Sequence, residues 1–253
     1  MDYNNDFAEG YVKTSKGLIR FVRHVSDGKK ILLLHGLGGT AESWRRLIQA
    51  IPKEFDVTAI DLLGHGKSEA PAITYTVPVQ AQVVNDIISE WGWSGYIIGH
   101  SYGGWVAATY AIKFKQPIGL VLIDSMGMIK LYHDTNYLGV GEEDKDDLFN
   151  RAMMLNSNKE YVIKSIIYDD HESEWLTEED YRKIKCRTVV LWGSNDREIN
   201  YSYGEHIAGL IQGSKFILMK DAGHSPFFTD PEGCWVEIEA MMEEEQRQQD
   251  EAK

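Results

Sequence analysis

The amino-acid sequence predicts an α/β domain built around a mostly parallel sheet, and three features predict it. Short continuous apolar runs recur, each followed by helical spacing: Ile31-Leu34, Val57-Ile60, Tyr96-Ile98, Gly119-Ile123, Thr188-Trp192 and Lys215-Met219. Continuous runs in place of apolar/polar alternation suit strands covered on both faces by helices. The opening residues alternate instead, as a half-exposed hairpin does. Between Asp124 and Lys185 the rhythm breaks, and no convincing central strand occurs there.

In order along the chain, Tyr11-Val12-Lys13 and Leu18 to Arg23 flank the turn signal Ser15-Lys16-Gly17, which predicts an antiparallel hairpin. The apolar runs then alternate with helices, a pattern that calls for right-handed crossovers. Within the interruption, Glu142-Asn156, Lys159-Tyr168 and Thr177-Ile184 read as short amphipathic helices, the last with a capped start at Thr177. An all-helical insertion between two core strands predicts a cap over the sheet's carboxyl edge. The expected division is a core from residues 1–125 and 186–242, a helical cap from 126–185, and a polar tail, 243–253, that frays.

Composition bounds the function. A chain of 253 residues, 43% hydrophobic, suits one sizeable domain. The net charge of −13 argues against a nucleic-acid partner, because phosphate binding needs clustered Lys and Arg. Cys186 and Cys234 are too few for a disulfide framework or a four-thiolate metal site. No apolar run approaches the roughly 20 residues that span a bilayer. Met1 to Gly10 does not read as a secretory signal, so the expected location is the cytoplasm.

The strongest chemical signal is Gly99-His100-Ser101-Tyr102-Gly103, a G-x-S-x-G sequence with an apolar strand before it and a helix after it. A turn this tight leaves no room for side chains two positions either side of the nucleophile. A serine hydroxyl is a weak nucleophile and needs a positioned base. His224, in Ala222-Gly223-His224-Ser225 after the last apolar run, has the required place in chain order. The acid that orients it is expected at Asp196, in the polar loop Gly193-Ser194-Asn195-Asp196, with Asp124 at the preceding strand end as the alternative. Backbone N–H groups must also meet the developing oxyanion, each contributing about 3–4 kcal/mol. Tyr102 is expected to supply one. Leu37, or failing that Gly38, in His35-Gly36-Leu37-Gly38-Gly39 is expected to supply the other. Asp61 to Ser68 lacks the G-x-G-x-x-G extension of a dinucleotide site and reads as a structural turn.

Taken together and in this order, the His35-Gly36 loop, the Asp61-to-Ser68 turn, the Ser101 elbow, the Asp196 loop and His224 resemble the α/β-hydrolase superfamily. They look most like its small capped serine hydrolases. The resemblance implies a mostly parallel eight-stranded sheet flanked by helices with a helical cap, and hydrolysis without a cofactor or metal. Ser101 sets aside epoxide hydrolases and haloalkane dehalogenases, which carry Asp there. Leu37-Gly38-Gly39 departs from the H-G-G-P-G of proline iminopeptidases. Four kinds of enzyme remain, and the first expectation among them is a carboxylesterase acting on a small apolar acyl ester. Thioesterase, acylglycerol lipase and carbon–carbon bond hydrolase are alternatives, with a ligand-binding protein on the same scaffold as the non-enzyme reading. Met126, Met128, Phe149 and Met153 are the foremost candidates for an apolar acyl pocket, with Tyr132, Tyr137, Leu138, Met154 and Trp175 behind them.

Overall fold

The computed structural model describes residues 7–130, 142–155, 158–169 and 172–251. Eight strands form one sheet: β1 (Ala8–Lys13), β2 (Leu18–His24), β3 (Lys30–Leu34), β4 (Asp56–Ile60), β5 (Tyr96–His100), β6 (Gly119–Ile123), β7 (Arg187–Gly193) and β8 (Lys215–Met219). Their spatial order is β1-β2-β4-β3-β5-β6-β7-β8. β2 runs antiparallel to both β1 and β4, and every later pairing is parallel. From β3 the chain steps outward to β4 and then returns to β5 on the other side. A crevice therefore opens between the carboxyl ends of β3 and β5, the place where open α/β sheets bind ligands.

Alternate side chains of each strand feed opposite layers, as the two-residue period of a strand requires. Leu32, Leu34, Leu120, Leu122, Val190 and Trp192 pack with α2 (Val77–Glu90), α3 (Tyr102–Lys113) and α7 (Tyr201–Leu210). Ile31, Leu33, Val121, Ile123, Val189 and Leu191 pack on the other face with α1 (Arg45–Ala50), α8 (Pro226–Thr229) and α9 (Pro231–Glu251). That double covering explains why the central strands read as unbroken apolar runs. The backbone of α9 stays helical through Glu251, where the polar tail was expected to fray.

One charge cluster ties the hairpin to the turn after β4. Arg20 on β2, only 2% exposed, donates to Glu9 at 2.8 Å, Glu42 at 2.6 Å and Asp61 at 3.3 Å. Asp61 also accepts from the Ala41 N–H at 2.7 Å and the Lys67 N–H at 2.9 Å. Asp61 to Ser68 is thus a turn closed on a buried carboxylate, and its burial raises that carboxyl's pKa despite these partners.

Over the carboxyl edge lie α4 (Glu142–Met154), α5 (Glu160–Tyr168) and α6 (Glu178–Arg182). Thr177 caps α6, accepting from the Asp180 N–H while the Asp180 carboxylate accepts from the Thr177 N–H. Such caps satisfy the unpaired donors of a helix's first turn. The cap is stitched to the core at several points. Val77 N–H donates to Glu174 at 2.7 Å and Tyr75 N–H to Ser165 at 2.9 Å, while Leu176 N–H donates to Gly127 O at 2.7 Å within the inserted segment itself. Trp175 packs on Trp105 at a tilt, with ring centroids 4.4 Å apart.

Candidate active site

Ser101 sits between β5 and α3 with φ 51° and ψ −117°, a conformation that L-residues rarely hold. The glycines around it are forced by space. A Cβ on Gly99 would lie 2.3 Å from Gly103 O, and one on Gly103 would lie 2.2 Å from Leu34 O. Ala107, Ala108 and Ala111 continue the close approach of α3 to the sheet, all fully buried.

Ser101 and His224 line one cavity of about 420 Å³, walled also by Leu37, Met126, Leu148, Arg151, Ala152, Met154, Leu155 and Ile199. The His224 loop follows β8 and is held to the elbow, because His100 Nε2–H donates to His224 O at 2.6 Å. His224 Nδ1–H donates to Asp196 Oδ2 at 2.8 Å. The other oxygen of Asp196 accepts the N–H groups of Glu198 at 2.8 Å and Ile199 at 3.0 Å, which fixes the carboxylate in place. Among the described residues no hydrogen bond joins Ser101 Oγ to His224. Nε2 instead faces Glu198 Oε2 at 3.7 Å.

Electrostatics separates the histidines of this region. Burial lowers His35 to about 4, His65 to about 3 and His100 to about 3. All three are neutral at pH 7, and hydrogen bonding fixes their tautomers. His35, for instance, accepts the Leu62 N–H on Nε2 and donates from Nδ1 to Gly36 O. His224 behaves oppositely. Burial alone would lower it, but the hydrogen bond and charge of Asp196, joined by Glu198, raise it above 6.5. The two candidate acids also part company. Asp124, wholly buried with φ 43°, accepts the Gly193 N–H at 2.9 Å. Burial, reinforced by the Asp196 charge, pushes its carboxyl well above the ordinary range, towards the neutral acid.

Asp124, Asp196 and His224 offer ligand atoms within 4.8 Å of one another. Two of these atoms, His224 Nδ1 and Asp196 Oδ2, are already joined by the 2.8 Å hydrogen bond.

In the loop after β3, Gly39 N–H closes a turn on Gly36 O at 3.0 Å and Gly38 takes φ +72°. Among the described residues the N–H groups of Leu37 and Tyr102 donate to no protein group, and Leu37 lines the cavity. Asn158, buried in the cap, donates to Gly38 O at 2.8 Å and to Ala152 O at 2.9 Å, bracing this loop against α4. The sequence reading missed Asn158 and Glu198, since neither lies in a recognisable pattern.

Of the pocket candidates, Met126 and Met154 line the cavity. Met128 does not. It is fully buried in the core and bridges Leu176. Phe149 packs on Tyr168 at 5.9 Å, and neither it nor Met153 is among the cavity's lining residues. The reason is helical phase: Leu148, Arg151, Ala152 and Leu155 share one face, and Phe149 and Met153 fall on another. Tyr132, Tyr137 and Leu138 lie outside the described residues.

Comparison with known proteins agrees with this architecture. A hydrolase from Metapseudomonas resinovorans acting on 2-hydroxy-6-oxo-6-(2'-aminophenyl)hexa-2,4-dienoic acid is 26% identical over 89% of this chain and 88% of its own. Lipase 3 of a Moraxella species is 24% identical over 79% of this chain and 72% of its own. The fold matches that of a thermophilic esterase from Thermogutta terrifontis with a TM-score of 0.75, covering 94% of this chain and 99% of that one at 21% identity. No helix among the described residues is long and apolar enough to cross a membrane. The sequence model of the alpha/beta hydrolase family matches residues 31–235, and the chain belongs to that family.

Proposed function

We propose that this chain is a serine hydrolase that cleaves a carboxylic ester of a small apolar acyl group through an acyl-enzyme. The observation that carries the reading is the His224–Asp196 hydrogen bond at 2.8 Å, in the same cavity as a serine held at φ 51°. Ser101 attacks the ester carbonyl as His224 Nε2 takes its proton, and the oxyanion is met by the N–H groups of Leu37 and Tyr102. His224 then protonates the departing alcohol, and in the second half activates water to release the acid. Asp196 orients the ring and balances its charge throughout. Met126, Leu148 and Leu155 give the acyl group an apolar wall. Arg151 is the cation of that wall, but Asp147 at 3.1 Å and Glu198 at 3.0 Å already occupy it. This favours a neutral acyl group over the acidic dienoate named for the Metapseudomonas relative.

The test is a panel of nitrophenyl esters from acetate to palmitate, run beside a thioester and a dienoate, with fluorophosphonate labelling of the nucleophile. Esters should be cleaved best, and Ser101→Ala should lose at least about 10⁵-fold in kcat while keeping its fold. Retained turnover or labelling in that variant would sink the assignment. His224 must be neutral to act as base, and its carboxylate neighbours raise its pKa from the ordinary imidazole value, so activity should fall as pH drops through a correspondingly raised midpoint.

A further inference from the structure

His224 has a second carboxylate neighbour, on the side of the ring that does the chemistry. Asp196 holds Nδ1 at 2.8 Å, whereas Glu198 Oε2 stands 3.7 Å from Nε2. Nε2 is the atom that must receive the Ser101 proton, and the ring makes no hydrogen bond with Ser101 among the described residues. Glu198 is no loose surface acid. Its N–H is locked on Asp196 Oδ1 at 2.8 Å, and its other carboxylate oxygen accepts from Arg151 Nη1 at 3.0 Å. Arg151 belongs to α4 of the cap and is anchored one turn back on Asp147 at 3.1 Å. A line of alternating charge thus runs from the cap to the base: Asp147, Arg151, Glu198, His224, Asp196.

We propose that Glu198 is a positioning residue for the base: its carboxylate competes with the Ser101 hydroxyl for Nε2 of His224, and Arg151 of the cap sets how closely it approaches. The inference rests on the proposed role of His224, but it concerns a different contact. When His224 is protonated, its Nε2–H turns to Glu198, and the imidazolium lies between two carboxylates, unable to accept a proton. When His224 is neutral, Nε2 has only a lone pair, the carboxylate offers it nothing, and the ring is free to accept from Ser101. Arg151 draws the Glu198 carboxylate towards the cap and weakens its hold. A cap helix is thereby coupled to the readiness of the base without touching it.

The other groups around the ring do not supply this effect. From the elbow, His100 donates to the His224 carbonyl at 2.6 Å and is itself held neutral by burial. From β6, Asp124 is pushed towards its uncharged form. Asp196 acts on Nδ1 and leaves Nε2 open. Glu198, with Arg151 behind it, remains the charge facing the reactive nitrogen.

The experiment is a nuclear magnetic resonance titration of the His224 ring in the intact chain, paired with the pH dependence of fluorophosphonate inactivation. Glu198→Gln keeps the shape and removes the charge, and should lower the His224 midpoint by about one pH unit, with the inactivation curve following. Arg151→Met should raise the midpoint, and Arg151→Lys should restore most of it. In the Glu198→Gln background, Arg151→Met should move it by less than about 0.3 of a pH unit. An unchanged midpoint in Glu198→Gln overturns the inference, as does an equal effect of Arg151→Met in both backgrounds. The downfield Nδ1–H resonance shared with Asp196 reports a folded site in each variant. If fluorophosphonate leaves the wild-type chain unlabelled, the hydrolase reading fails, and the ring titration still decides the role of Glu198.

Discussion

Gly99 and Gly103 bracket Ser101 with no room for one more carbon, whereas Phe149 and Met153 point away from the cavity although their residue types suit it well. The two regions obey different constraints. At the carboxyl edge of the sheet the backbone itself makes the site: a strained elbow, a glycine turn after β3, and loops whose length places Asp196 and His224. Few residue types satisfy such geometry, so the pattern survives in sequence. In the cap, helix phase and tilt decide which side chain faces the cavity. Any apolar residue satisfies the opposite face equally well. Rigid backbone demands leave a signature, and apolar packing leaves a composition.

This contrast can be broken most forcefully at the two acids. Asp196→Asn should cost about 10⁴-fold in kcat, because the ring then loses its tautomer and its counter-charge. Asp124→Asn should cost less than about 10-fold, since Asp124 is already held near its neutral form. Equal losses in the two variants would show that the acids share the task. The bridge between the regions comes next. Asn158→Ala removes the brace on the loop after β3 at Gly38 O, and on the proposed mechanism should lower kcat by about 10-fold with little change in KM. A change confined to KM would move Asn158 from the loop's support to substrate binding.

Smaller effects belong to the cap. Leu148→Ala and Leu155→Ala should shift the preferred acyl length and change KM by a few-fold, roughly the worth of a methylene or two. Phe149→Ala and Met153→Ala should leave that preference unaltered. A shift in acyl preference from the second pair alone would place the substrate on the other face of α4. Smallest is a stability effect under the edge. Folded His65 resists protonation down to about pH 3, whereas the unfolded chain takes up that proton near 6.5. Acid therefore destabilises the wild type. Relative to His65→Asn it should lose up to about 1.4 kcal/mol per pH unit as pH falls from 6.5 towards 3, measured by urea unfolding. Parallel pH dependences in the two proteins would mean that His65 titrates normally when folded.

The sequence by itself determined the alternation that builds the sheet, the hairpin at its start, and the elbow at Ser101. It also supplied the chain order that nominates Asp196 and His224. Each of these is a local demand on backbone or burial, and so is readable from neighbours in the chain. Only the tertiary structure separated Asp196 from Asp124, because the difference is one of burial and mutual charge between loops distant in sequence. It alone turned Met128 into the core and Phe149 off the cavity. It alone brought Arg151 of the cap to Glu198 and Glu198 to the far nitrogen of His224. Those outcomes depend on how one packed layer sits upon another, and no short stretch of sequence carries that information.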